Sequence, residues 1–180
     1  MPKDPSKAFD KPLRIRYRGQ YDYDGLIALL RSFFDRAQIT NEEPKFKYKG
    51  EDTGYEVEFV MTGDRKVNSY IKVFMTIEGH GFDVNPKETI VNGVKKRITG
   101  GKMELYFQAS YQLDWGGGFD ISPKDSKSKK KALKMMKNFL DEEYEGISYE
   151  DNKALGKKHM QNLIKKFHKE TVQFLGMECY

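Results

Sequence analysis

The residues whose spacing best suits them to chemistry are lysines. Lys127, Lys130, Lys131, Lys134 and Lys137 recur at intervals of three and four. On a helix, at 100° per residue, they share an arc of about 120°. Leu133, Met136, Phe139 and Leu140 stand opposite, and Asp141, Glu142 and Glu143 follow at the C-terminal end. This order opposes the helix dipole, which favours early acids and late bases by roughly 0.3 to 1 kcal/mol per well-placed charge. A local rule broken repeatedly on one face often marks a surface with another use. One such use is phosphate contact, each lysine displacing a condensed counterion. The plainer alternative is a solvated face kept soluble by lysine.

A second cationic set is Arg14, Arg16 and Arg18, which alternate with Leu13, Ile15 and Tyr17. If their strand lay near Lys45, Lys47 and Lys49, the two sets would form one basic surface. Tyr70, Phe74 and Tyr106 would then be aromatic neighbours, as on a sheet that stacks bases. Glu56, Glu58 and Glu104 share the outward positions, so cross-strand ion pairs account for the same pattern. Gly116 to Gly118 precede a helix start, where anions bind, but lack the spacing of a nucleotide loop and read better as a flexible turn that lets the chain leave the sheet.

Catalysis finds little support. His159 and His168 fall on opposite edges of a helical arc, too far apart to hold one metal, and His80 stands alone in sequence. There is no His-Glu-x-x-His, no paired cysteine and no Gly-x-Ser-x-Gly. Cys179 has no base placed beside it, and nothing in the order of residues pairs two carboxylates. No catalytic residue, cofactor or metal is therefore predicted.

The element that must organise these surfaces is Met103–Trp115. Its odd positions are Met103, Leu105, Phe107, Ala109, Tyr111, Leu113 and Trp115, while the even ones are polar apart from Tyr106. Strict period two predicts a long half-buried strand. Leu26, Ile27, Leu29, Leu30, Phe33, Phe34 and Ala37 form the apolar arc of a helix capped by Asp22 or Asp24. Strands follow around Phe46, Tyr55–Met61 and Ile71–Ile77, with a turn signal at Gly63-Asp64, a loop that holds Gly79 and Gly81, and Gly100-Gly101 leading into the long strand. Asn92-Gly93 signals a hairpin. Ser122-Pro123 would open a helix running to about Tyr144, and Ser148 a last helix through Met160, Ile164, Phe167 and Leu175.

The chain thus predicts an α+β fold: a curved antiparallel sheet of six or seven strands, with an N-terminal helix and two C-terminal helices over one face. Residues 1–12 read as an arm, 13–175 as a single domain and 176–180 as a tail. The charged fraction of 33% and net charge of +5 leave most charges pairable with the opposite sign. Nucleic acid is therefore permitted as a partner but not demanded. A lone cysteine fits a reducing compartment, the start matches no signal peptide, and no apolar run reaches the ~20 residues of a membrane span. The expectation is a cytoplasmic protein.

The order of elements resembles the helix-grip fold, which implies a cavity under the sheet. Phe59, Phe107 and Tyr111, with the last helix, would line it and make the chain a carrier of an apolar ligand. Tyr17-Arg18-Gly19 through Tyr21-Asp22, Gly25-Leu26 and Lys66-Val67 before Tyr70 resemble a family of uncharacterised proteins from small-genome archaea, which implies no function. Ser126–Leu133 resembles the second helix of a double-stranded RNA-binding domain, which implies phosphate contacts across a groove. The long strands, and Met135, Met136 and Phe139 where that domain packs small residues, depart from it. The reading that follows is a non-catalytic binding or assembly module that meets a protein partner, or itself, through the lysine face. The alternatives are an RNA-binding protein and the apolar-ligand carrier.

Overall fold

The alternation centred on Phe107 sets the architecture. A computed structural model of the chain describes residues 5–51, 54–67, 70–91, 94–116, 126–146 and 157–177. In chain order the elements are β1 (Ser6–Lys7), β2 (Leu13–Tyr21), α1 (Tyr23–Ala37), β3 (Thr40–Glu51), β4 (Gly54–Lys66), β5 (Ile71–Val91), β6 (Val94–Leu113), α2 (Lys127–Gly146) and α3 (Lys157–Phe174). Along β6, Met103, Leu105, Phe107, Ala109, Tyr111 and Leu113 are buried, and the residues between them stay half-exposed. Trp115 lies just past the strand, in a turn.

The sheet has six strands, all antiparallel, and is open. β3, β4, β5 and β6 run in that order, with β1 and β2 both against β6. Val91 pairs with Val94 across the expected hairpin, whose Asn92-Gly93 lies outside the described residues. Leu26, Leu30, Phe33 and Phe34 of α1 and Met160, Ile164 and Phe167 of α3 complete the core on one face. Phe33 and Phe167 stack at 4.3 Å, tying the two helices together. Burying a side chain such as Phe107 stabilises the fold by roughly 1.5 to 3 kcal/mol. α1 begins where Asp22 Oδ1 accepts from Gly25 N at 2.9 Å, the expected cap.

The structure departs from the sequence reading at several points. The N-terminal arm is partly sheet: Ser6 and Lys7 pair with Tyr111 and Ser110, and Ala8 is in the core. At the other end Met177, placed in the tail, packs against the core. Gly63, Gly79 and Gly81 lie inside strands rather than in a turn or loop, and Gly100 and Gly101 are already part of the long strand. Two of them mark close approach. A Cβ on Gly63 would sit 2.0 Å from the Thr40 carbonyl oxygen, and one on Gly79 would sit 2.1 Å from Phe59 Cζ. Glycine thus serves here as the space another group occupies.

α2 differs too. Ser126 is not helical and caps α2, its Oγ accepting from Lys129 N at 3.3 Å, while Ser122 and Pro123 lie outside the described residues. The Met–Phe side of α2 is exposed: Met135 by 64%, Met136 by 55% and Phe139 by 65%. Lys130, Leu133 and Lys137 are the half-buried positions instead. The reason is room, because α1 and α3 already fill the inner face of the sheet.

Candidate functional site

The outer face of the sheet assembles one row from five strands. Arg16 pairs with Glu104, Glu104 with His80, His80 with Glu58, and Glu58 with Lys47. Charges of opposite sign therefore meet across neighbouring strands. Arg14 Nη2 donates to Glu104 Oε2 at 2.6 Å, and Arg16 Nε lies 3.2 Å from Oε1. Tyr106 donates its hydroxyl hydrogen to Glu104 Oε2 at 2.8 Å, and the Arg14 guanidinium lies over the Tyr106 ring at 5.2 Å. Arg14 first, and Tyr106 next, hold the Glu104 carboxyl below the usual carboxylate range.

The joint basic surface expected from the two cationic sets does not form. β2 and β3 lie at opposite edges of the sheet, with β6, β5 and β4 between them. At ~4.8 Å per strand that is roughly 19 Å. Arg14 and Arg16 are balanced by Glu104, and Lys45 Nζ by Glu58 at 2.5 Å. Arg18 is exposed. Of the aromatic residues expected on this face, Tyr106 and Phe74 are there, but Tyr70 is buried in the core.

The same row brings together three groups that the sequence reading did not join. Glu56, Glu58 and His80 offer ligand atoms within 4.8 Å of one another, a set that could hold a divalent metal. Period two on β4 puts both carboxylates on one face, and that signal was visible. The antiparallel register then delivers His80 from β5. His80 Nε2 lies 2.6 Å from Glu56 Oε1, and its ring lies 3.8 Å from that of Phe82. Lys45 holds the Glu58 carboxyl below its usual range. Its ammonium offsets part of the negative charge of the two carboxylates.

Elsewhere the predicted residues separate. Phe59, Phe107 and Tyr111 do not wall a cavity; all three are packed core, and His168 stands edge-on to the Phe107 ring at 6.0 Å. An open cleft of about 310 Å³ lies instead beside the start of α1, lined by Tyr23, Asp24, Phe46, Tyr48, Val57 and neighbours. Phe46 and Tyr48 are 58% and 51% exposed on the helix side of β3, and Tyr48 stacks on Tyr55 at 4.5 Å. Burial, then the charge of Asp24, pushes the Tyr23 hydroxyl up to about 12. That hydroxyl is buried with no hydrogen-bond partner among the described residues.

Of the lysine stripe, Lys127, Lys131 and Lys134 are exposed and Lys130 is half-buried. Lys137 is drawn inward: its Nζ lies 2.5 Å from Oδ2 of Asp114, which is buried at the end of β6. This lysine ties α2 to the end of β6. Of the glycine triplet, Gly116 is exposed and Gly117 and Gly118 lie outside the described residues. Among the described residues no helix is long and apolar enough to cross a membrane. No protein-family model matches the chain, and no curated protein is significantly similar to it.

Proposed function

We propose that this chain is a non-catalytic binding and assembly module that pairs with a second copy of itself through α2. The observation that carries the reading is the exposure of Met135, Met136 and Phe139, 64%, 55% and 65%, beside a lysine-bearing face. Large apolar side chains clustered on one exposed helix face suit a protein contact better than a solvated surface. The charge order of α2 suggests the occupant. Lysines fill its first part, and Asp141, Glu142, Glu143 and Glu145 follow towards its end. In an antiparallel pair the basic half of each copy runs beside the acidic half of the other, and the Met–Phe stripes meet at the centre. A two-fold contact must be self-complementary in this way. The ion pair between Lys137 and Asp114 ties α2 to the end of β6.

Sedimentation equilibrium over the micromolar range tests the reading. A concentration-dependent dimer is expected, reduced to monomer by Met135→Glu with Phe139→Glu, and at concentrations too low for the parent to pair, parent and variant should melt at the same temperature. A monomer at every concentration, or a dimer indifferent to the double variant, rejects it. The competing reading is RNA binding, favoured by the exposed Lys127, Lys131 and Lys134. Its signature is retention of RNA that falls steeply between low and moderate salt.

A further inference from the structure

We infer that the cleft between the start of α1 and the helix side of β3 is a binding site for a small organic cation. Three aromatic rings line it, from Tyr23, Phe46 and Tyr48, over a floor that includes Val57 and Val84. The face of an aromatic ring carries partial negative charge and attracts a cation within about 6 Å. Asp24 is the ionisable acid of the lining, and among the described residues no lysine or arginine joins it there. The nearest basic residues of β3, Lys45 and Lys47, point by strand alternation to the opposite face of the sheet, where Lys45 is paired with Glu58. Arg31 is committed to Glu43 at 2.6 Å. The positive end of the α1 dipole is offset by Asp22 at the cap and Asp24 in the first turn. A protein of net charge +5 thus carries a locally acidic, aromatic cleft.

The chemistry of this lining selects a cation with an apolar skin, such as an alkylated ammonium. An anion would meet the carboxylate and the ring faces, and a strongly hydrated ammonium would lose more water than the rings replace. At about 310 Å³ the cleft is at the small end of ligand pockets. The exposure of Phe46 and Tyr48, where Phe59, Met61 and Ile77 on the same side of the sheet are buried, is what a ligand would shield. This inference stands independently of α2.

The test is titration with choline and with its uncharged carbon isostere, 3,3-dimethylbutan-1-ol, followed by amide chemical shifts of the full chain. Choline is expected to shift amides of β3 and of the first turn of α1, with the isostere roughly tenfold weaker. Tyr48→Leu, Phe46→Leu and Asp24→Asn should each weaken choline severalfold. These side chains are exposed, so melting temperatures should hold and separate lost binding from lost fold. Equal binding of choline and the isostere would reduce the site to an apolar cleft and overturn the inference. So would shifts that survive Tyr48→Leu, or the absence of any shift with choline.

Discussion

Removing the cation from Asp114 is the perturbation that most directly probes how α2 is held. Lys137 Nζ lies 2.5 Å from Asp114 Oδ2, with the two side chains 23% and 4% exposed. Breaking a fully buried pair by deleting one partner costs about 3 to 5 kcal/mol, because the remaining charge is left in a medium that solvates it poorly. Here water still reaches the lysine, and a charged hydrogen bond of this kind contributes nearer 1.5 to 3 kcal/mol. Lys137→Met should therefore destabilise by about 1.5 to 3 kcal/mol. Asp114 has a left-handed backbone, φ 54°, which asparagine also tolerates. Asp114→Asn thus removes the charge without adding strain and should cost somewhat less. The double variant should cost less than the sum of the two, with a coupling of about 1 to 2 kcal/mol. Urea denaturation gives the four stabilities, and hydrogen exchange shows where protection is lost, which should be first along α2. A coupling below about 0.3 kcal/mol, or α2 amides as protected in Lys137→Met as in the parent, would refute the reasoning.

Three further outcomes follow from the same geometry. Gly63→Ala would place a Cβ 2.0 Å from the Thr40 carbonyl oxygen and force β3 away from β4, costing about 2 to 3 kcal/mol or more in urea denaturation. Gly50→Ala meets nothing closer than 3.7 Å and should be near neutral; equal effects would count against the close approach. Phe107→Ala, at a fully buried site, should cost about 3 to 5 kcal/mol, whereas exposed Phe139→Ser should stay within about 0.5 kcal/mol, as thermal or urea melts would show. Burial raises the hydroxyls of Tyr21 and Tyr23 above the ordinary value, Tyr23 to about 12. The folded state therefore holds these protons more tightly than the unfolded chain, so stability is complete below about pH 10 and declines as pH rises from there towards 12. Ultraviolet titration should show Tyr21 and Tyr23 among the tyrosines that ionise late, and a single transition near pH 10 for all tyrosines would contradict their burial.

Much of the fold was legible because its causes are local. The alternation of Met103, Leu105 and Phe107 with Glu104 and Tyr106 records a strand with one dry face, whatever its neighbours are. Asp22 caps α1 through a bond to a residue three positions on, so cap and helix are read together. Glycine was harder to interpret. At Gly63 and Gly79 the missing side chain makes room for Thr40 and Phe59, and the same residue type elsewhere signals a turn. The exposure of the Met–Phe side of α2 was not legible, because amphipathic spacing reports which residues share a face and says nothing about which face finds a partner.

The sequence by itself determined the α+β class, the long pleated strand, the cap of α1, the hairpin pairing around Asn92-Gly93 and the lysine arc of α2. Each follows from residues within a few positions of one another, where backbone geometry fixes the spacing of side chains. The tertiary structure decided the rest: Arg14 on Glu104, His80 on Glu56, Lys137 on Asp114, and the open aromatic cleft beside Tyr23. Those partners stand 90, 24 and 23 positions apart. Strand order and register bring them together, and a charge in sequence does not specify which distant charge will lie across from it.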